Sequence, residues 1–561
     1  MNSKTFKAAC IQLEVGKDTK ANLAHTIEWI KKAIAGGGQM IVLPELCNHP
    51  GPFPNRESAW AIAETPGGEW DNAMATLAKT HKVFIAYNIL TRDGEPFTRI
   101  TTYLVDPQGT IIAEYAKQFL FATQADWARP GKLPLNPVST NLGRIGLYIC
   151  MDGLIPEPTR VLQIKGAQVL LNALNSAGPD EADLHVPARA AEIRAWVLSA
   201  NKVGTLSATH ASVYAGGSAI IAPNGKVVAR ASDDKEEIIY GTIQADLADD
   251  KSIGHGDDLL LDRKPECYME LLKPTAIFPS YKCEVAPERW TTLSVVQVNA
   301  KNYDDVEVIT RVEKHLTKLN DLKAKVAVLP EGFLFSPGEI ASNPDKAAET
   351  SKRALGNLKD SSRKYQVLIS ANLVEKTETN EYYNTVYLIE PSGNIWKYRQ
   401  VHVANADRSW AKSGKDFPVF ETTIGTVGLM LGYDGLFPEA ARILSLKGAS
   451  VILYPCNWRL DVEPELLVIE RAAENHISVV ASNRTDSPIQ TGSKIITGER
   501  YPTTKHWKMR FPESETLHYG VESSHALSVD LGAMVQKLVA YKTDLIADRS
   551  VDQYSALIEQ G

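Results

Sequence analysis

The residue of this chain with the clearest chemical potential is Cys150, which ends the apolar run I-G-L-Y-I (145–149) and precedes Asp152 and Gly153. A cysteine thiolate can attack a carbonyl carbon. A turn between a strand and a helix would place backbone N–H groups beside it, and such groups activate a thiol and stabilise an oxyanion. A lone cysteine is more often a buried structural residue. The case for chemistry therefore depends on the residues that accompany Cys150.

Two charged residues precede the cysteine. Glu45 closes the run I-V-L-P-E (41–45), so it follows a buried strand, and Lys117 lies in A-E-Y-A-K (113–117). Taken alone, Glu45 could be a capping or salt-bridged acid, and Lys117 a solvated surface residue. Together with Cys150 they form a base, a cation and a nucleophile, in which glutamate takes the thiol proton and the ammonium holds an oxyanion.

The same motif occurs a second time without the cysteine. Residues 427–439 read V-G-L-M-L-G-Y-D-G-L-F-P-E, and seven of their thirteen positions are identical to residues 145–157. Gly432 stands where Cys150 stands, and glycine has no side chain that could attack a carbonyl. At the lysine position the second copy has Gln400, whereas Glu331 keeps the glutamate. The second copy is therefore expected to have lost the chemistry.

The duplication extends over most of the chain. The segment V-L-Q-I-K-G-A-Q-V-L-L (161–171) is matched by I-L-S-L-K-G-A-S-V-I-L (443–453) at the spacing that relates Cys150 to Gly432. Nearly constant spacing with small insertions predicts two collinear domains. We place them at residues 1–275 and 291–561, with residues 276–290 as a linker. Alternating short β-branched runs and longer amphipathic segments predict α/β sheets covered by helices.

Composition excludes several classes of function. The 561 residues carry a formal net charge of −7, which disfavours nucleic-acid binding, and 44% of them are hydrophobic, which is typical of a globular protein. No apolar run reaches the roughly 20 residues of a membrane span. Six cysteines with no C-x-x-C pair and no metal-binding spacing predict free thiols and a cytoplasmic location.

These motifs, L-P-E, Y-x-K and I-C-x-D-G-x-x-P-E followed by K-G-A and R-A-x-E, make the chain similar to the nitrilase, or carbon–nitrogen hydrolase, superfamily. The resemblance covers most of both halves. It implies two tandem αββα sandwich domains, a Glu–Lys–Cys triad and a thioester acyl-enzyme, with no metal and no organic cofactor. By this resemblance Glu45 is the general base, Lys117 stabilises the oxyanion and Cys150 is the nucleophile. The backbone N–H of Met151 would be a second oxyanion donor.

Departures from the family pattern concern the substrate pocket. Cys150-Met151-Asp152-Gly153 is closer to the amidase branch than to the C-W-E of true nitrilases. Aliphatic amidases carry a second, positioning glutamate shortly before a Pro-Gly, and the matching residue here is Asp126, shorter by one methylene. Alternatively, Asp126 is a solvated acid in a loop with no role in the site. Trp127 and Asn175 are further candidates for the pocket.

The sequence thus predicts an amidase that hydrolyses a small-molecule amide in its N-terminal half only. The same triad could serve a nitrilase or an N-acyltransferase. From another class, a non-catalytic scaffold or small-molecule sensor would keep Cys150 only as a relic. Because members of the family pair two αββα units, the second half is expected to pair with the first inside one chain, and a further homo-oligomer stays open.

Overall fold

The computed structural model describes residues 5–207, 212–283, 286–300, 304–501 and 513–559. The described residues form two halves of the same architecture, each with two sheets packed face to face. The prediction of tandem α/β sandwich domains is confirmed.

The first half contains a seven-stranded and a six-stranded sheet. In sheet order, the strands of the first are Lys202–Val203, Thr5–Glu14, Met40–Val42, Phe84–Arg92, Thr98–Val105 and Ile111–Ala116, with Glu237–Gln244 antiparallel to Thr5–Glu14. Those of the second are Val227–Arg230, Ala219–Ile221, Trp196–Ala200, Val169–Ala173, Gly143–Ile149 and Val138–Thr140. Neighbouring strands in the middle of both sheets are parallel, as expected for runs that are apolar on both faces.

Helices cover the outer faces of both sheets. The main ones in this half are Thr19–Ala35 and Glu69–His81 on the first sheet, and Pro156–Ile164 and Val186–Ile193 on the second, with short helices at Arg56–Ile62 and Gln124–Trp127. The order of layers is therefore helix, sheet, sheet, helix.

The second half repeats this order. Its first sheet consists of Ser523–Asp530, Trp290–Gln297, Val326–Val328, Leu368–Lys376, Tyr382–Ile389 and Ile395–Arg399. Its second consists of Val419–Thr422, Gly425–Leu429, Val451–Pro455, Ser478–Ser482, Lys494–Thr497 and Glu513–Thr516. The helices are Asp305–Asp321, Glu339–Ser342, Pro344–Tyr365, Pro438–Leu446 and Val468–Ala473.

Local sequence signals explain where the first helix of each half begins. Asp18 accepts hydrogen bonds from the backbone N–H groups of Lys20 and Ala21, and Asp304 accepts one from Glu307. Such caps satisfy N–H groups that have no partner within the helix. Along each helix the buried residues, such as Leu23 in the first, recur at helical spacing and pack on the sheet.

Reciprocal ion pairs lie where the halves meet. Arg160 donates to Glu439 at 2.8 Å, and the corresponding Arg442 donates to Glu157 at 2.8 Å. All four side chains are at most 2% exposed. Because the helices Pro156–Ile164 and Pro438–Leu446 supply both pairs, each helix covers its own sheet and also faces the other half.

The chain segments that follow each sandwich cross to the opposite half. In the segment after residue 251, the Tyr268 hydroxyl lies 2.6 Å from His402 Nε2 of the second half. In the segment after residue 530, Thr543 Oγ1 accepts a hydrogen bond of 2.8 Å from the Ala122 N–H of the first half. The domain limits at 275 and 291 stay predictions, and each half is completed by residues of the other.

Within the described ranges, no helix is both long enough and apolar enough to cross a membrane.

Candidate active site

A cavity of about 90 Å³ opens at the carboxyl ends of the strands in the first half. This edge of an α/β sheet is where ligands usually bind. Several of the residues selected from the sequence are among those that line it, namely Lys117, Trp127, Cys150, Met151 and Asn175, and Gln124 and Glu181 line it as well.

Cys150 opens a short 3₁₀ turn, Cys150–Gly153, directly after the strand Gly143–Ile149. Its φ of +48° is in the left-handed region, which costs a residue with a side chain about 1–3 kcal/mol. Its N–H donates to the side-chain oxygen of Asn172 at 2.9 Å, and this contact holds the turn. The thiol is thus kept at the cavity by a strained backbone conformation.

Glu45 and Lys117 form a fully buried ion pair. Lys117 Nζ donates to Glu45 Oε1 at 2.9 Å, and neither side chain has any exposed surface. Gln124 Nε2 donates to the same oxygen at 3.2 Å. The other oxygen, Glu45 Oε2, is buried and has no hydrogen-bond partner among the described residues. Its lone pairs are therefore available to accept a proton.

The electrostatics couple this pair to the cysteine. Burial raises the pKa of Cys150 well above its ordinary value, and the nearby Lys117 ammonium opposes the rise. Burial alone would lower the pKa of Lys117, but the charges of Cys150 and Glu45 outweigh it and hold that pKa above its usual range. Lys117 therefore stays cationic, and the thiol needs a base to become a nucleophile.

Asp152 connects the element that carries Lys117 to the turn that carries Cys150. Its carboxylate accepts hydrogen bonds from the Tyr115 hydroxyl at 2.9 Å and from the Phe119 N–H at 2.7 Å. It also accepts one from the Ile149 N–H at 3.2 Å. Burial raises the pKa of Asp152 to about 6.

Trp127 and Asn175 give the cavity polar atoms that lack partners. Both residues line it, and Trp127 Nε1 and Asn175 Oδ1 are buried without a hydrogen bond to any described residue. Trp127 is fixed by an edge-to-face contact with Phe53 at 5.0 Å between ring centroids. These two atoms are available for a ligand.

Asp126 is not where the sequence interpretation requires it. It does not line the cavity, and its carboxylate pairs with Lys542 of the second half while about a third of the side chain stays exposed. On the short helix Gln124–Trp127, the side chains that face the site are those of Gln124 and Trp127. The helical turn directs Asp126 outward, so the expected positioning acid is absent from this position.

Another acid that faces the cysteine is Glu181, which sequence reasoning missed. Glu181 Oε1 lies 3.9 Å from Cys150 Sγ, and the residue is 5% exposed. Burial raises the pKa of Glu181 to about 7. A signal for it existed, because Glu463 occupies the matching position of the second half at the spacing of Cys150 and Gly432.

The second half keeps the backbone of the site but has neither the cysteine nor the lysine. Gly432 has a φ of +45°, close to that of Cys150, but glycine adopts this conformation without strain. Gln400 donates to the Leu431 carbonyl at 2.8 Å. Glu331 is buried, which raises its pKa to about 7. Asp434 retains the bridging role of Asp152, since it accepts from Tyr398 at 2.7 Å and from the Leu431 N–H at 3.1 Å.

Among the described residues, no group of three or more His, Cys, Asp and Glu side chains is arranged as a metal site.

The described residues thus form a doubled α/β sandwich, in which the first half holds a buried acid, a lysine and a cysteine close together. The carbon–nitrogen hydrolase family model matches residues 7–251 and again residues 292–525. The chain therefore belongs to the carbon–nitrogen hydrolase family, and it carries two copies of the family's domain in tandem.

Relatives of known name include nitrilases and amidases. A nitrilase from Pyrococcus abyssi is 30% identical over 248 residues, which is 44% of this chain and 92% of the relative. A 2-oxoglutaramate amidase from Bacillus subtilis is 32% identical over 36% of this chain and 78% of its own length. A solved amidase from Nesterenkonia is 22% identical, with a TM-score of 0.38 over 44% of this chain and 93% of that one.

Proposed function

We propose that this chain hydrolyses a small carboxamide to a carboxylic acid and ammonia, through a thioester on Cys150 in its N-terminal half. The observation that carries the proposal is the buried Lys117–Glu45 pair beside a strained cysteine in a cavity. Family membership and the amidases among its relatives support the reaction class.

In the first step the thiol of Cys150 gives its proton to Glu45, and the sulfur attacks the amide carbon. Glu45 Oε2, which has no partner among the described residues, is the acceptor. The Lys117 ammonium and the Met151 N–H stabilise the negative oxygen of the tetrahedral intermediate. When the C–N bond breaks, the nitrogen takes the proton from Glu45 and leaves as ammonia.

In the second step water hydrolyses the thioester. Glu45 takes a proton from the water while the water oxygen attacks the acyl carbon, and Lys117 again stabilises the oxyanion. The C–S bond breaks, the acid leaves and the proton returns to the sulfur. The cycle consumes one amide and one water and needs no other reactant.

The cavity volume favours a small substrate. One water needs about 10–15 Å³ on the same measure, so a cavity of about 90 Å³ accommodates an acyl group of a few heavy atoms.

We assign a structural role to the second half, that of the partner unit. Gly432 and Gln400 lack the nucleophile and the cation, so this half forms no acyl-enzyme. The buried Arg160–Glu439 and Arg442–Glu157 pairs support the role of a fixed partner.

A substrate panel tests the proposal and its rivals. Short amides, the matching nitriles, and amides with an added amine acceptor should be assayed for ammonia and for acyl products. The amidase assignment predicts ammonia from amides without an acceptor. Turnover of nitriles alone would assign a nitrilase, product formation only with an amine would assign an acyltransferase, and inertness with ligand binding would favour a sensor.

A further inference from the structure

Glu181 is a buried acid to which the triad gives no task. Its Oε1 lies 3.9 Å from Cys150 Sγ, and its Oε2 is buried without a hydrogen-bond partner in the described part of the chain. Leaving a carboxylate oxygen buried and unpaired destabilises the fold unless a ligand completes it. It lies on a single π-helical turn, Glu181–His185, at the wall of the cavity.

The matching residue of the second half shows what a purely structural acid does here. Glu463 accepts hydrogen bonds from the backbone N–H groups of Arg459 and Leu460, at 2.7 and 2.9 Å, and so fixes the start of its own turn. In the first half, Gly178 occupies the position of Leu460, and its N–H donates to Ser176 Oγ at 3.2 Å instead. The carboxylate of Glu181 therefore faces the cavity free of that structural task.

A contact with the second half supports the turn that carries Glu181. His185 Nδ1 lies 2.8 Å from Glu470 Oε2, and both side chains are at most 2% exposed. The contact is one-sided, because Leu467 occupies the position of His185 in the second half and Ala188 the position of Glu470 in the first. The two halves thus differ by a complementary histidine and glutamate at the turn beside the cysteine.

We propose that Glu181 binds the amide nitrogen of the substrate by accepting a hydrogen bond from its N–H group, and that Glu470 of the second half positions this turn and its charge through His185. The inference rests on the proposed amidase function. It gives the second half a role in the active site. His185, on the same turn as Glu181, is held by Glu470, and the first half has Ala188 at the matching position.

The charges around Glu181 set the direction of a pH test. Asp180 and His185 lie on or beside its own turn, Lys117, Tyr148 and Cys150 face it from the sheets, and Glu470 lies behind His185. Burial alone would lower the pKa of His185, but Glu470 outweighs it and brings that pKa to about 9. A cationic His185 in turn lowers the pKa of Glu181 from what burial alone would give.

The first experiment compares an amide with an ester of the same acyl group, because an ester has no N–H to bind. Glu181→Ala should lower kcat/KM for the amide about 100-fold, as expected for a misplaced substrate, and change the ester by less than about threefold. Glu181→Gln, which keeps a carbonyl acceptor, should recover part of the amide activity. Glu463→Gln is the matched control and should leave both activities unchanged.

Folding and chemistry are checked on the same variants. Because Glu181 carries an unpaired buried oxygen, its replacement should leave Tm unchanged or raise it. Equal losses on amide and ester would overturn the role of Glu181 while leaving the cysteine mechanism intact. Cys150→Ala should lose both the amide and the ester activity, whereas Glu181→Ala should keep the ester activity. This difference separates the role of Cys150 as nucleophile from the role of Glu181 in binding the amide nitrogen.

The second experiment measures kcat/KM for the amide against pH in Glu470→Gln and in Glu474→Gln. Glu474 shares the partner Arg189 with Glu470 and also pairs with Arg471, which makes it the matched control. Without Glu470, the pKa of His185 falls and His185 loses its charge near neutral pH. Because a neutral His185 no longer lowers the pKa of Glu181, that pKa rises, and the ascending limb of the pH profile shifts to higher pH. No shift in Glu470→Gln, or an equal shift in Glu474→Gln, would overturn the role of Glu470.

Discussion

The carboxyl group of Glu331 occupies the space that a side chain at Gly432 would need. A Cβ built on Gly432 would lie 2.7 Å from the Glu331 carboxyl carbon, closer than real Cβ atoms approach other atoms. In the first half the glutamate is instead held away by Lys117 at 2.9 Å. The absence of the cysteine and the absence of the lysine are therefore structurally linked. Gln400 donates to the Leu431 carbonyl, and the Glu331 carboxyl group lies against Gly432.

This relationship predicts that restoring the two lost residues will not restore a site. The double variant Gly432→Cys and Gln400→Lys forces a side chain into the left-handed φ and against Glu331, so Tm should fall. Strain of this kind costs about 1–3 kcal/mol before the clash is counted. The ratio of acyl groups to chains, measured by mass spectrometry, should stay at or below one. A ratio of two would show that the second site needs only these residues.

The buried pair predicts a specific pattern of stability. Lys117→Met leaves the Glu45 carboxylate buried without its cation and should cost about 3–5 kcal/mol of unfolding free energy at pH 8. The double variant Glu45→Gln and Lys117→Met removes both charges and should recover most of that loss. Urea unfolding of the two variants and the parent checks this. A double variant as unstable as Lys117→Met would mean that the charges do not interact as the 2.9 Å contact implies.

The contacts between the halves predict a dependence of stability on pH. Burial alone would raise the pKa of Glu439, but Arg160 and Arg263 outweigh it and bring it to about 2, below the ordinary value of 4.5. A lowered pKa stabilises the fold above pH 4.5, and this contribution is lost as the pH falls from 4.5 toward 2. The shift corresponds to about 3 kcal/mol.

The Tm difference between the parent and Glu439→Gln should therefore shrink across that window. Glu270→Gln, which removes an exposed pair with Lys273, is the control and should cost less than about 1 kcal/mol at any pH. A parent–Glu439→Gln difference that stays constant from pH 5 to pH 2 would show that Glu439 is not held ionised between its arginines.

The two neighbours on the short helix at the cavity should respond differently to mutation. Gln124→Leu removes a hydrogen-bond donor from Glu45 inside the site and should lower kcat by about tenfold or more. Asp126→Ala breaks only a partly exposed pair with Lys542 and should change kcat by less than about threefold. Steady-state assays on both variants decide this. A larger loss in Asp126→Ala would restore the positioning role that the sequence suggested.

The sequence was sufficient to predict the fold class and the duplication, because apolar periodicity and repeated spacing carry that information. It also placed Glu45 and Cys150 at the ends of strands, where parallel strands bring them to one edge. It could not resolve the helix at 124–127, where a rotation by two residues decides whether Gln124 or Asp126 enters the site. Glu181 was missed because its approach to Cys150 depends on a π-helical turn, which leaves no periodic pattern in a sequence.

The most direct test of the account is to trap the acyl group. The chain should be mixed with a turned-over amide, quenched in acid, digested and analysed by mass spectrometry, beside Cys150→Ala treated in the same way. The account predicts one acyl group per chain at most, located on the peptide that contains Cys150, and a loss of turnover of at least about 10³-fold in Cys150→Ala. An acyl group on a residue of the second half, or activity within about tenfold of the parent in Cys150→Ala, would contradict it.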